Sequence, residues 1–260
     1  MFREMVRQET ESLRDEYSVF ELHSHTYCSD GLRSPEAVVR EAYLRGLSGI
    51  AITDHDNLDG YERAAKEAEK YPGFIVVPGM EVSTTQGHVL ALGVYEPIEP
   101  GRSWAETVDD IHDKGGVAVL AHPYVYGSVA DGLLESYDGE GSIPFDAIEA
   151  YNARLTLPVN GNKRGEELVD ALGYPSTGGS DAHEPWGLGL GMTLLPKEVG
   201  SIDDVLDAIR EGRCEPYRTR EKESLFNKSV FMAGRYGGII PHFLVRQWHK
   251  LEGLGDDRQE

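Results

Sequence analysis

A chain of 260 residues, 40% of them hydrophobic, is long enough to bury a full α/β core and fits one sizeable domain or a domain with a small appendage. Its two cysteines, Cys28 and Cys214, lie far apart outside any CxxC pair, which suggests neither a disulfide framework nor a thiolate zinc site. Acidic residues outnumber basic ones 45 to 25, and the formal charge of −20 argues against general binding of long nucleic acid, whose phosphates such a surface repels.

The start, MFREMVRQETESLRDEY, is densely charged and lacks the apolar stretch of a signal peptide. No run elsewhere approaches membrane-spanning length, so the expectation is a cytoplasmic protein without membrane attachment. A salt-rich host would suit the acidic surface, and activity and folding that improve with salt are the corresponding test.

Strands and helices alternate along the chain. VFELH at 19–23 reads as a buried strand, and SPEAVVREAYLRGL follows as a helix with Ser34 at the N-cap and Pro35 at the first helical position. LSGIAITDH at 47–55 is the next strand, then an Ala-, Glu- and Lys-rich helix runs to about Tyr71. FIVVPGME at 74–81 and GHVLALGVY at 87–95 are strands too close for a helix between them, which predicts a hairpin. SWAETVDDIHDKGG reads as helix, VAVLAH at 117–122 and AIEAYN at 147–152 as strands, and NKRGEELVDALG at 162–173 as helix. PSTGGSDAH at 175–183 is a strand entering a turn, and SIDDVLDAIREGR a last helix. This alternation predicts a mainly parallel sheet covered on both faces, and the number of repeats favours a barrel.

From residue 213 onward the composition changes, with 9 Lys and Arg against 7 Asp and Glu. Residues 1–215 are therefore expected to form the main domain and 216–260 a C-terminal extension docked on it. The loop 124–146, rich in Gly, Ser and acidic residues, is a candidate lid.

The histidines cluster at predicted strand ends. His23 and His25 form an HxH on the first strand, where alternation points both to one side. Asp30 follows in the next loop, His55 ends the second strand, Glu81 the third, His88 opens the fourth and His122 ends the fifth. Asp181 and His183 are again two apart. Imidazole and carboxylate together suit zinc, manganese or iron, and a carboxylate such as Glu81 can bridge two ions. Ions held a few ångströms apart can bind a phosphate and generate hydroxide near neutral pH, and in parallel α/β barrels such groups collect at the C-terminal strand ends. His112, His242 and His249 fall outside the pattern. Asp54 is read as a partner of a ligand or a helix cap, and Asp56 likewise. Arg154, in AYNARL, is the best candidate for a phosphate fork, ahead of Arg33, Lys163 and Arg164. No GxSxG elbow, Walker loop or dinucleotide fingerprint is present, and Gly178 and Gly179 are read as permitting close backbone approach to the site.

ELHSHTYCSDG at 21–31, AITDHD at 51–56, GMEVS at 79–83, AHP at 121–123 and GGSDAH at 178–183 together resemble the PHP (polymerase and histidinol phosphatase) superfamily, in particular its stand-alone small phosphoesterases. The resemblance spans roughly residues 18–215 and implies a distorted seven-stranded β/α barrel. It also implies a ligand set: His23, His25, Glu81 and Asp181 on a first ion; Glu81 with His88 and His122 on a second; Asp30, His55 and His183 on a third. Asp30 stands where some members carry histidine. The expected cofactors are thus two or three divalent ions, zinc, manganese or iron. The expected activity is hydrolysis of a small phosphomonoester, a nucleotide or sugar phosphate, or of a short oligonucleotide 5′ end. A metal-binding regulatory domain without turnover and a metal-assisted amide hydrolase are the alternatives.

Overall fold

The computed structural model describes residues 2–124, 143–154 and 161–219. The candidate lid lies almost wholly outside them, as do His242, His249 and the C-terminal extension beyond Thr219. Among the described residues are nine strands and six helices. In chain order they are α1 (Phe2–Leu13), β1 (Tyr17–Glu21), α2 (Pro35–Leu44), β2 (Gly49–Ile52), α3 (Tyr61–Ala68), β3 (Ile75–Thr84), β4 (Gly87–Leu92) and α4 (Trp104–Asp113). There follow β5 (Val117–Leu120), β6 (Ala147–Asn152), α5 (Gly161–Leu172), β7 (Ser176–Gly179), β8 (Gly191–Pro196), α6 (Ile202–Arg210) and β9 (Glu215–Arg218).

The strands form one sheet in the order β7-β6-β5-β4-β3-β2-β1-β8-β9. It curls until its ends nearly meet. The Thr193 hydroxyl on β8 donates to the Gly178 carbonyl at 2.8 Å, and the Gly178 amide donates back to that hydroxyl at 3.0 Å. The seam is tight because Gly191 carries no side chain: a Cβ there would overlap the Gly179 carbonyl oxygen.

The barrel-like α/β architecture agrees with the reading of the sequence, with two corrections. Nine strands replace the expected seven, and the sheet is not mainly parallel. The β1–β2, β2–β3, β5–β6 and β6–β7 pairs are parallel, whereas β1–β8, β3–β4, β4–β5 and β8–β9 are antiparallel. The 3–4 hairpin occurs where expected, with Thr84 opposite Gly87.

Alternation along the strands fills both sides of the sheet. Val19, Ile50, Ile52 and Val76 pack with α2 and α3, and Val89, Ala91, Ala118, Leu120 and Ile148 pack with α4 and α5. The opposite face, through Phe20, Ala51, Val77, Leu90, Val119 and Ala147, packs with Val205, Leu206 and Ile209 of α6. Strands covered on both faces explain the near-continuous apolar runs. The helix starts follow local chemistry: Ser34 caps α2 by accepting the Ala37 amide, ahead of Pro35, and Ser103 and Glu106 form a capping box on α4. Glu81, His88 and Glu149 share strand parity with Val77, Leu90 and Ala147, which directs their side chains to the face lined by α6, toward one end of the sheet.

Candidate metal centre

Backbone ladders run on past the strand ends and carry the candidate ligands together. Beyond β1 and β7, the Asp181 amide donates to the His23 carbonyl at 2.9 Å and the His25 amide to the Ala182 carbonyl at 3.0 Å. Beyond β2, His55 bridges to Glu81, and the Glu81 amide donates to the Asp54 carbonyl at 3.2 Å. Glu81 does not end its strand, as the sequence suggested. It sits inside β3, which continues to Thr84, and His88 lies diagonally across the hairpin, opposite Ser83.

All nine predicted ligands converge. Glu81 is their centre: its Oε1 lies 2.7 Å from His122 Nε2 and 2.8 Å from His88 Nδ1. Its Oε2 lies 3.1 Å from His25 Nε2, 3.2 Å from His23 Nε2 and 3.4 Å from His55 Nδ1. Asp181 Oδ1 is 3.3 Å from His25 Nε2 and 3.2 Å from His183 Nδ1, and Asp30 Oδ1 is 3.0 Å from His183 Nε2. The ligand atoms form three groups in which all lie within 4.8 Å of one another: His23, His25, Glu81 and Asp181; His55, Glu81 and His88; and His25, Asp30, His55 and His183. His25 thus borders two groups, and His55 joins Glu81 and His88 as well as Asp30.

The residues fit a divalent cation on two counts. Both ring nitrogens of the buried His25, and Nδ1 of His88, lack a hydrogen-bond partner although carboxylate oxygens lie close by, an arrangement that wastes buried polar atoms unless a cation lies between them. The donor set of imidazoles and carboxylates without thiolate suits zinc, manganese or iron.

The charged groups of the cluster shift one another's titration. Burial disfavours the charge on Glu81, yet the surrounding imidazoles, His23 foremost, hold its carboxyl well below the usual range. Asp181 is lowered against its burial in the same way. The Asp30 carboxyl, opposed by burial but hydrogen-bonded to His183, falls to about 2. Conversely, His183 rises to about 9, because Asp181 and Asp30 outweigh its burial, and His23 rises through Glu149, Glu81 and Asp181. Burial leaves His55 lowered.

His122 and Asp181 have φ of 24° and 50°, a left-handed backbone that costs non-glycine residues roughly 1–3 kcal/mol each and persists only where tertiary contacts enforce it. Asp54 is fully buried and accepts from the Thr26 amide and hydroxyl, both at 2.7 Å, and from the Ser29 hydroxyl at 2.7 Å, so it shapes the loop that carries Asp30. It does not cap a helix. Asp56 accepts the Ser83 amide at 2.7 Å.

The candidate phosphate-binding residues separate. Arg154, 37% exposed, stands at the rim with Nη1 3.9 Å from Asp181 Oδ1. Arg33 is buried, Lys163 pairs with Glu167 on α5, and Arg164 stacks on Tyr124 with 4.0 Å between guanidinium carbon and ring centre. His112 lies apart, paired with Asp146 at 2.8 Å. Gly179 fits the expected close approach, since a Cβ there would come within 2.5 Å of both His23 Cβ and Glu149 Oε1; Gly178 instead faces Met192 and Pro216.

Three polar residues at the site do not stand out in the sequence. Buried Glu21 accepts the amides of His23 at 3.1 Å, Ser180 at 2.9 Å and Gly189 at 3.1 Å, and burial pushes its carboxyl up to about 7. Glu149 and Asn152, on β6, contact several ligands at once. Their signal was limited to a carboxylate and an amide inside an otherwise apolar strand, AIEAYN.

Residues 21–167 match the model of the PHP domain, and residues 160–214 that of a PHP-associated region. An uncharacterised protein of Methanocaldococcus jannaschii is 31% identical over 146 residues, covering 51% of this chain and 81% of that protein. A 3′,5′-nucleoside bisphosphate phosphatase of Chromobacterium violaceum is 37% identical over 84 residues, 32% of this chain and 29% of that enzyme. Among solved structures, a two-domain protein from Bacteroides vulgatus containing a predicted PHP-like metal-dependent phosphoesterase aligns with a TM-score of 0.61 at 21% identity, covering 78% of this chain and 66% of that one. At that identity the likeness is one of fold.

Proposed function

The chain belongs to the PHP domain family, and from that membership together with the site's geometry we propose that it is a metal-dependent phosphoesterase acting on small phosphomonoesters such as nucleotides or sugar phosphates. Short oligonucleotide 5′ ends are the second substrate class. The observation that carries the reading is the position of Glu81, whose two oxygens divide five imidazoles between them, three on one side and two on the other. Two or three ions of zinc, manganese or iron would be held by His23, His25, Glu81 and Asp181, by Glu81, His88 and His122, and by Asp30, His55 and His183.

When bound, such ions supply Lewis acidity toward the phosphoryl and leaving oxygens and acidify water. The chain's own residues fix where the substrate arrives. His23, His25 and Glu81 are sealed beneath the cluster, whereas Asp30, Arg154, His55 and His88 are 55%, 37%, 27% and 26% exposed and form its open edge. A phosphate entering there meets the Arg154 guanidinium, whose planar donors suit two phosphoryl oxygens. The acidic surface repels a long polyanion more than a small one, which favours the small substrate.

The test is phosphate release by purified protein loaded in turn with manganese, zinc and iron, across nucleotides, sugar phosphates and short oligonucleotides, with His23→Ala alongside. Release that disappears in the variant supports the reading and selects the substrate class. Confirmed metal occupancy with no release from any substrate would overturn it.

A further inference from the structure

Glu149 and Asn152 reach candidate ligands contributed by three other segments. Glu149 Oε1 lies 2.9 Å from His23 Nδ1. Its Oε2 accepts the His122 main-chain amide at 2.8 Å and the Asn152 side-chain amide at 3.0 Å. The same Asn152 Nδ2 lies 3.4 Å from Asp181 Oδ2, and Asn152 Oδ1 accepts the Arg154 amide at 2.9 Å. Both side chains are buried, Glu149 at 1% and Asn152 at 0% exposure.

Each contact acts on something that an ion would require. A carboxylate only accepts, so Nδ1 of His23 must carry the proton it donates, leaving Nε2 as the nitrogen turned toward Glu81 and Asp181. The hydrogen bond also fixes the plane of the ring. His122 and Asp181, the two candidate ligands with left-handed backbone, are the other two candidate ligands that this pair contacts. The absence of a side chain at Gly179 leaves the space in which Glu149 meets His23.

We propose that Glu149 and Asn152 are positioning residues that present His23 Nε2 to the first ion and hold His122 and Asp181 in their strained conformations, so that ligands from β1, β5 and β7 are set in place together. The proposal rests on the reading that the histidine and carboxylate cluster binds metal. It places neither residue on an ion. Orienting partners of metal-bound histidines typically affect affinity by about 10–100-fold.

The test is zinc binding by calorimetry on the full chain, for wild type, Glu149→Gln, His23→Ala, the double variant and Asn152→Ala, with urea unfolding of each metal-free form as the control. Glu149→Gln keeps shape but presents one amide group where two acceptor oxygens are needed. It is expected to weaken the tightest zinc site by about 10–100-fold. In the His23→Ala background the same substitution is expected to have a much smaller effect, a coupling that general loss of stability would not produce. Asn152→Ala, which leaves Glu149 in place, is expected to weaken zinc more modestly, and it carries the test should Glu149→Gln fail to fold. Wild-type affinity in Glu149→Gln and Asn152→Ala, or equal losses from Glu149→Gln in both backgrounds, would overturn the proposal. A wild-type chain that binds no zinc, manganese or iron would overturn the cluster reading and this proposal with it.

Discussion

Oε1 of Glu81 lies 2.7 Å from Nε2 of His122, although 41 residues separate them, while the other oxygen of the same carboxylate faces His23, His25 and His55. One side chain on the third strand thereby joins ligands from the first, second, fourth and fifth segments of the sheet. Removing its charge should therefore affect more than one ion. Glu81→Gln is expected to weaken metal binding by more than about 100-fold, beyond the range typical of an orienting partner, and to lower ion content per chain. Elemental analysis after equilibrium dialysis reads both. A variant that retains wild-type stoichiometry would contradict the role of Glu81 as a shared ligand.

Metal uptake should release protons. His183 titrates at about 9 with Asp181 and Asp30 beside it, so it carries a proton at pH 7 that an ion must displace, and the carboxylates around His23 and His122 shift them in the same direction. Affinity should fall as pH drops below about 9, where protons compete for His183. Zinc titrations at pH 7 in buffers of different ionisation enthalpy should give heats that depend on the buffer. Heats independent of buffer would contradict the protonated state of His183.

Asp54→Ala separates loop shape from ligation. It strands the Thr26 amide and hydroxyl and the Ser29 hydroxyl, and a buried polar group left unpaired costs about 1–3 kcal/mol. The variant should lose stability of that order in urea unfolding. Its affinity loss should be confined to the ion held by Asp30, leaving the His23, Glu81 and Asp181 group near wild type. Equal weakening of every ion would show that Asp54 supports more than the loop that carries Asp30.

Glu21 should give the metal-free protein a characteristic pH dependence. Its carboxyl is raised from 4.5 to about 7 by burial, so the folded chain holds this proton over a range in which the unfolded chain has lost it. The contribution to stability is complete below about pH 4.5 and is lost as pH rises through about 7, a difference of about 3 kcal/mol. Urea midpoints of wild type and Glu21→Gln, compared from pH 4.5 to 8, should diverge across that window. Parallel profiles would show that the three amide donors already hold Glu21 ionised.

At the sheet seam, Gly191→Ala should loosen the closure, since the added methyl overlaps the Gly179 carbonyl. Overpacking of this kind typically costs about 1–3 kcal/mol. The same variant should weaken metal binding, because Asp181 follows directly on that strand. Unchanged unfolding and affinity would mean that the seam yields without cost.

Most of the candidate ligands were legible in the sequence as polar residues interrupting or ending an apolar run, and the HxH and DxH spacings turn two side chains the same way. The alternation of strands and helices gave away the α/β class and the β3–β4 hairpin. Other features were hidden for physical reasons. α1 does not stand out because only part of MFREMVRQETESL is apolar, with Val6 fully buried and its neighbours Glu4 and Arg7 exposed. β8 follows the glycine-rich WGLGLG, and β9, EPYR, is short and half exposed, so neither has the pattern of a buried parallel strand. The grouping of the candidate ligands was also harder to read than their identity. That His25 and His55 each border two groups depends on ring positions in space, which residue order does not encode. Glu149 and Asn152 lay within an ordinary strand, and only their contacts with His23, His122 and Asp181 distinguish them.

The activity proposed for the cluster around Glu81 is metal-dependent hydrolysis of phosphomonoesters. Its most direct test is the rate of phosphate release from a mixture of nucleoside monophosphates and sugar phosphates as manganese is added back to chelator-stripped protein, for wild type and Glu81→Gln in parallel. Release is expected to rise with bound manganese in the wild type and to be lost in the variant. Release without metal, or equal release by Glu81→Gln, would contradict it.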